Sequence, residues 1–353
     1  MSMSDTTSRA LSGTTDEKRA LRAGLIGLGM MGRHHARNLQ ALEGVDLVAV
    51  ADAFGDPHGA APDHDVLPDV EALIAAGIDY AVVAVPTQFH RDVAMTLAEA
   101  GVHCIVEKPL AFDVSEAEEI ATAFEDAGLV GAVGYIERYN PALQEMRRRI
   151  ADGQLGEIYQ IVTRRQGGFP ARIADVGVVK DLATHDLDLT AWVAQSPFAD
   201  VAATSTRRSG RRDEDMVSIT GRLEDGTITN HLVNWLSPFK ERVTVVTGEK
   251  GALIADTVNA DLTFHTNAEA TTNLWESMAS FRGVSEGDSI TYSIQRREPL
   301  ATEHEAFRDA ICGDTSNIVT MREGLHTVRT VEAVLESAQD RSVVHLDGSA
   351  LGG

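Results

Sequence analysis

Apolar positions follow two different patterns along this chain, and the change from one to the other divides it. In the first part, short continuous apolar runs alternate with stretches of helical spacing. Ala23–Leu28 leads into a helix with His35, Leu39 and Leu42 on one face, and Val45–Ala51 follows. Further runs at Tyr80–Val85, Val102–Val106 and Leu129–Gly134 alternate with helical patterns over Val70–Ala76, Gln88–Ala100 and Val114–Ala127. Alternation of this kind predicts a parallel sheet with right-handed helical crossovers. After Asn140-Pro141, an N-cap followed by proline at the first helical position, one more helix runs to about Ala151. The chain then becomes strand-rich, with Val/Ile/Thr-enriched segments at Glu157–Gln166, Val201–Ser205, Met216–Leu223, Thr227–Leu236, Arg242–Thr247 and Leu253–Ala255. Turns at Asp225-Gly226 and Gly248–Gly251 join some of them as hairpins, which predicts a largely antiparallel sheet covered by helices on one face. Glu303–Ile311 has an amphipathic helical pattern that stops at Gly313. The capping box Thr320-Met321-Arg322-Glu323 opens a helix carrying Leu325, Val328, Val331 and Leu335, and Ser342–Leu346 is a last short strand.

The expected fold is therefore α/β: an N-terminal Rossmann dinucleotide-binding domain plus an α+β domain with a large, mostly antiparallel open sheet. The expected boundaries are a polar, disordered leader at 1–20, a nucleotide-binding unit at 21–138, and a substrate-binding and oligomerisation unit at 139–353. A length of 353 residues supports two domains over one. No apolar run approaches the roughly 20 residues of a membrane span, and residues 1–20 hold no signal-peptide core, so a cytoplasmic enzyme is expected. The two cysteines, Cys104 and Cys312, are read as reduced thiols. Acidic side chains outnumber basic ones 53 to 31, for a formal charge of −22. Such a surface repels nucleic acid and anionic membranes but leaves room for a local basic pocket.

The chemistry begins at Gly27-Leu28-Gly29-Met30-Met31-Gly32, between the first apolar run and the first helix. Gly27 permits a tight turn, Gly29 lets backbone approach a pyrophosphate, and Gly32 lets helix and strand pack closely; the helix N-terminus then faces the phosphates. Asp52 ends the second run about 20 residues further on, where a carboxylate binds both ribose hydroxyls of NAD and repels the 2′-phosphate of NADP. No Arg or Lys occurs in Ala53-Phe54-Gly55-Asp56 to neutralise that phosphate. NAD is the expected cofactor. Two loops fall at the carboxyl ends of later strands, Pro86-Thr87-Gln88-Phe89-His90 and Glu107-Lys108-Pro109. Lys108, straight after a buried strand, is an awkward place for an idle charge. Finally, Asp181 and His185 stand four apart at the head of a predicted helix and would project together from one face. By itself Asp181 also suits an N-cap, and Asp186 and Asp188 suit a helix start and solvent. No Cys or second His lies near enough to complete a metal site.

The ordered set Gly27–Gly32 with Asp52, Glu107-Lys108-Pro109, and Asp181-x-x-x-His185 resembles the glucose–fructose oxidoreductase / inositol dehydrogenase / rhizopine-catabolism (Gfo/Idh/MocA) family over residues 22–340. The resemblance implies that Lys108, Asp181 and His185 line a substrate pocket beside the nicotinamide. It also implies that Gly27, Gly29, Met30, Met31, Gly32, Asp52, Pro86, Thr87, His90, Glu107 and Lys108 hold the cofactor. Gly134–Pro141, Gly168–Val179 and Asn234–Pro238 with Lys240 and Arg242 are similar to the branch that oxidises UDP-N-acetylglucosamine at C3. Tyr135, Arg138, Asn140 and Trp235 are the substrate residues this likeness implies. Arg164, Arg172 and Lys180 join them as cations suited to a diphosphate; adjacent strand residues Arg164 and Arg165 must point to opposite faces. The implied partner is a small sugar or nucleotide sugar, and a second copy of the chain covers the open sheet in a homodimer or homotetramer. The family also holds inositol and free-sugar dehydrogenases, glycosidase-like enzymes that oxidise transiently with NAD, and non-catalytic NAD-binding regulators.

Overall fold

The computed structural model of the chain describes residues 19–170, 176–268 and 286–346. Two sheets organise it. The first contains β1 (Leu21–Ile26), β2 (Val45–Ala51), β3 (Val66–Leu67), β4 (Tyr80–Val83), β5 (His103–Glu107) and β6 (Gly131–Gly134). Their spatial order is β3-β2-β1-β4-β5-β6, and every pairing is parallel. The chain builds outward from β1 to one edge and then returns to fill the other. This reversal opens a crevice at the carboxyl ends of β1 and β4, where such sheets bind ligands.

The helices are α1 (Gly32–Ala41), α2 (Val70–Ala75), α3 (His90–Glu99), α4 (Val114–Asp126), α5 (Pro141–Ala151), α6 (Thr184–Ala194), α7 (Pro299–Ile311) and α8 (Met321–Asp340). Because a parallel sheet must bury both faces, its strands are apolar throughout. On one face Leu39 of α1 and Phe307 of α7 pack with Leu25, Val50 and Tyr80. On the other, α2, α3 and α4 meet the first half of α8 through Leu73, Leu97, Ile120, Leu325 and Val328. The two C-terminal helices thus return to the first sheet from the far end of the sequence. The core of the first sheet therefore draws residues from both sides of position 138.

The second sheet orders its nine described strands β14-β13-β12-β11-β7-β10-β9-β8-β15. These are β7 (Ile158–Gly168), β8 (Phe198–Thr206), β9 (Met216–Leu223), β10 (Ile228–Asn234), β11 (Leu236–Gly248), β12 (Gly251–Asp256), β13 (Asp261–Asn267), β14 (Glu286–Thr291) and β15 (Val344–His345). All pairings are antiparallel except that of β7 with β10. The predicted single strand across Thr227–Leu236 is interrupted at Trp235, whose N–H donates to Asp215 O at 2.9 Å just beyond the Asn234–Met216 pair. One face packs on α5, α6 and the second half of α8. The other leaves Tyr159, Met216, Ile228 and Leu232 exposed.

Candidate active site

The glycine turn follows β1 closely enough that each glycine has its own reason. Gly27 has φ +96°, and a Cβ there would lie 2.5 Å from Ala84 O; a Cβ on Gly32 would lie 1.9 Å from Gly27 O. Gly29 differs, because a Cβ built on it meets nothing within 4 Å. Its open side faces the space before α1, whose N-terminus has no side-chain cap and no acid in its first turn. Met30 is exposed and Met31 occupies the cap position. Asp52 closes the turn by accepting from Leu28 N (2.7 Å) and Phe54 N (2.7 Å), so its carboxylate is fixed at the strand end with lone pairs to spare. An open backbone cradle, an uncapped helix end and a fixed carboxylate suit a dinucleotide's diphosphate and ribose.

Pro86 and Thr87 form the loop after β4, and Thr87 caps no helix. His90 is buried beneath that loop. Its ring nitrogens lie 2.9 Å from Pro109 O and 2.9 Å from Val85 O, so it sits wedged between the two cleft loops, its neutral ring donating to one of the two carbonyls. Burial pulls its pKa down against these carbonyls and Glu107. The expected cofactor contact is replaced by this scaffold role.

From the other side of the cleft comes a π-helical turn, Val179–Ala183, that runs directly into α6. Wide turns of this kind often mark functional sites. The turn presents Asp181 not as an N-cap but as a buried acid, 4% exposed, facing Lys108. Lys108 Nζ donates to Asp181 O at 2.9 Å and to its Oδ1 at 3.1 Å. Asp181 Oδ2 has no partner among the described residues. His185 follows in the first turn of α6, 9% exposed, with its ring edge-on to Tyr135 at 6.0 Å. Lys108, at the end of β5, thus meets Asp181 of the turn, and His185 follows in the first turn of α6.

Beneath the site lies a charge network that local sequence concealed. Asp186 and Asp188, expected at a helix start and in solvent, are each 2% exposed. The reason is that α6 packs against α8 on one side and the sheet on another, so its polar positions also face protein. Arg165 Nε donates to Asp186 (2.9 Å) and Nη1 to Glu137 (2.8 Å). Arg138 bridges Asp188 (2.7 and 2.9 Å) and Glu323. Burial raises both aspartates' pKa values despite these cations. Burial also pushes Glu137 up, but Arg165, Arg242 and Lys240 bring it below the usual carboxylate range.

These contacts correct several assignments. Arg138, implied to bind substrate, is enclosed by its two acids. Tyr135 is fully buried with its hydroxyl 2.9 Å from Thr184 Oγ1. Asn140 caps α5 and donates to Thr257 O at 3.0 Å. Arg164 points to the opposite sheet face and pairs with Glu241 at 2.9 Å, as strand alternation requires. Lys180 donates to Phe112 O at 2.9 Å and lies over its ring. Trp235 is buried, edge-on to half-exposed Phe169. Arg172 lies outside the described residues. Besides Lys108, the cation within electrostatic reach of Asp181 is Arg242, which donates to Gln166 O (2.7 Å) and Glu241 O (2.8 Å). No ion pair with it occurs among the described residues. His35, read from sequence as one more position on a helix face, is wholly buried against Glu107. Polarity at a core position was the signal.

Residues 21–164 match the model of the oxidoreductase family with an NAD-binding Rossmann fold, and residues 143–254 match the GFO/IDH/MocA C-terminal domain. Together the spans cover more than half of the chain, which belongs to the Gfo/Idh/MocA oxidoreductase family. It is similar to UDP-N-acetylglucosamine 3-dehydrogenase of Acidithiobacillus ferrooxidans, 33% identical over 60% of this chain and 66% of that one. It is similar also to scyllo-inositol 2-dehydrogenase (NAD(+)) of Bacillus subtilis, 30% identical over 52% of this chain and 56% of that one. The sequence matches thus span less than two thirds of these two relatives. The solved structure of the Acidithiobacillus ferrooxidans enzyme superposes over 91% of this chain and 98% of its own, with TM-score 0.78 and 26% identity.

Proposed function

We propose that this chain is an NAD-dependent dehydrogenase acting on a secondary hydroxyl of a sugar, at C3 of a UDP-N-acetylhexosamine or its uronate. The observation that carries the reading is Lys108 reaching across the cleft to Asp181, one turn before His185. Bound NAD⁺ supplies the hydride acceptor that alcohol oxidation needs. His185 takes the hydroxyl proton as general base, a role typically contributing ~10²–10⁴-fold. The Lys108 ammonium donates a hydrogen bond to the same oxygen and stabilises the alkoxide character that develops there. Asp181 holds Lys108 through Oδ1 and offers Oδ2 to a neighbouring hydroxyl. Loss of a proton to His185 and of a hydride from carbon leaves the ketone. Arg242, near Glu137 and Asp181, and Lys240, near Glu137, favour an anionic substrate over a neutral cyclitol.

The test is NADH production, followed at about 340 nm, with UDP-N-acetylglucosamine, its uronate and inositol. Turnover of inositol with neither nucleotide sugar accepted would move the chain to the cyclitol branch; turnover of none would leave a nucleotide-binding regulator. The exposed Tyr159, Met216, Ile228 and Leu232 on the outer sheet face support pairing of two copies through that face.

A further inference from the structure

Behind the cleft, the cofactor-side helix, the Lys108 strand and a C-terminal helix meet in a cluster of buried ionisable groups that the proposed reaction does not use. His35 of α1 is wholly buried, His304 of α7 is 1% exposed, and Glu107 at the end of β5 is 8% exposed. His35 Nε2 lies 2.8 Å from Glu107 Oε1, and His35 Nδ1 lies 3.0 Å from His304 Nε2. The two rings meet edge-on, 5.1 Å between centroids. Glu107 Oε2 accepts from Lys108 N at 3.1 Å.

We propose that His35 and His304 are positioning residues, a buried imidazole pair that keeps Glu107 ionised beside Lys108. An ionised carboxylate only accepts, so His35 Nε2 carries the proton. In a neutral ring Nδ1 is then an acceptor, and His304 must donate through its own Nε2–H. Each contact fixes the tautomer of the next, so the cluster has one self-consistent arrangement.

The groups facing Glu107 agree with it. Burial pushes the Glu107 carboxyl up, but the His35 hydrogen bond, the Lys108 charge and the Lys108 backbone N–H outweigh it, leaving it below the usual carboxylate range. Burial drives His304 well down, toward the neutral ring. Glu303 beside it, with neither carboxylate oxygen partnered among the described residues, is pushed well up by burial and by the Glu107 charge. His90 of α3 sees the same charge from the other side. Of the two buried carboxyls, one is held charged and the other neutral, and His35 is the hydrogen-bond donor that favours the charge on Glu107.

The role for Lys108 rests on the function proposed above; the state of Glu107 does not. The experiment is therefore ¹³C-glutamate and ¹⁵N-imidazole NMR on the full chain without substrate, with E107Q for assignment. Expected are Nε2–H tautomers for both rings near neutral pH. H35L should raise the Glu107 midpoint by at least about one pH unit, and H35Q, whose amide can still donate, should bring it back. An unchanged midpoint in H35L, or an Nδ1–H tautomer at either ring, overturns the proposal. In turnover, H35L should carry the acid limb of kcat/KM upward by the same interval, which a purely structural loss would not do. A shifted Glu107 midpoint in an enzyme inactive toward every sugar would reject the function and leave the pair standing.

Discussion

Two alanine substitutions in the same turn should separate folding from cofactor binding. In Gly32→Ala the new Cβ would lie 1.9 Å from Gly27 O and 2.8 Å from Gly27 C. The neighbour is backbone, which cannot swing aside, so turn and helix must part by more than about 1 Å. Overpacking of this kind costs about 1–3 kcal/mol, and for a chain of this size roughly 1–1.5 °C of Tm accompanies each kcal/mol. A loss of roughly 3–4 °C is expected at the upper part of that range. In Gly29→Ala the Cβ meets no protein atom within 4 Å, so Tm should stay within about 1 °C, helped by a less flexible unfolded chain. That methyl would instead occupy the side from which a diphosphate approaches. NADH affinity should fall at least about tenfold, equivalent to ~1.4 kcal/mol. Differential scanning fluorimetry gives the first quantity and NADH fluorescence titration the second. Gly29→Ala with wild-type NADH affinity, or with a Tm loss matching that of Gly32→Ala, would refute the reasoning.

His185→Ala should lower turnover at least ~100-fold and leave NADH binding unchanged; unchanged turnover in a steady-state assay rejects it as base. Asp52→Ser should raise relative use of NADP, at some cost in stability because Leu28 N and Phe54 N lose their acceptor; competition kinetics with both cofactors reads the change, and a wild type that prefers NADP contradicts the assignment. Arg138→Met strands Asp188 in the core and should destabilise by about 3–5 kcal/mol, seen in urea unfolding, with under 1 kcal/mol counting against the network. Glu303 has a raised pKa, so its contribution to stability is full below the unfolded carboxylate pKa and is lost as pH rises through the folded one. Glu303→Gln should therefore gain on wild type in Tm with increasing pH, and a constant difference from pH 5 to 9 (about the accessible window) would show the carboxyl is not held neutral.

What the sequence made legible was whatever is encoded within one or two elements. The strand–turn–helix at Gly27–Gly32 follows from local sterics, and the opposite orientations of Arg164 and Arg165 follow from strand alternation. Lys108 was suspect because a charge directly after a buried strand needs a reason. The misreadings share one cause: they concern partners distant in sequence. Asp186 and Asp188 look like surface acids until Arg165 and Arg138, 21 and 50 residues away, are placed against them. His35 looks like one more helix position until Glu107 and His304 close around it. Arg138 looked available to substrate for the same reason, its two acids coming from separate helices. The return of α7 and α8 to the first sheet had no local signal, since their apolar stripes fit either sheet equally.

The position of α8 bears on how substrate reaches the cleft. Its first half, with Leu325 and Val328, is embedded in one core, while Val331 and Val334 a turn later are embedded in the other. A continuous helix of 20 residues acts as a girder across both units, and swinging them apart would require breaking it. Opening the cleft with this helix intact would require rearrangement of the loops rimming it. Proteolytic removal of the C-terminal helices should accordingly abolish nucleotide binding as well as sugar binding, although the glycine turn is some three hundred residues upstream.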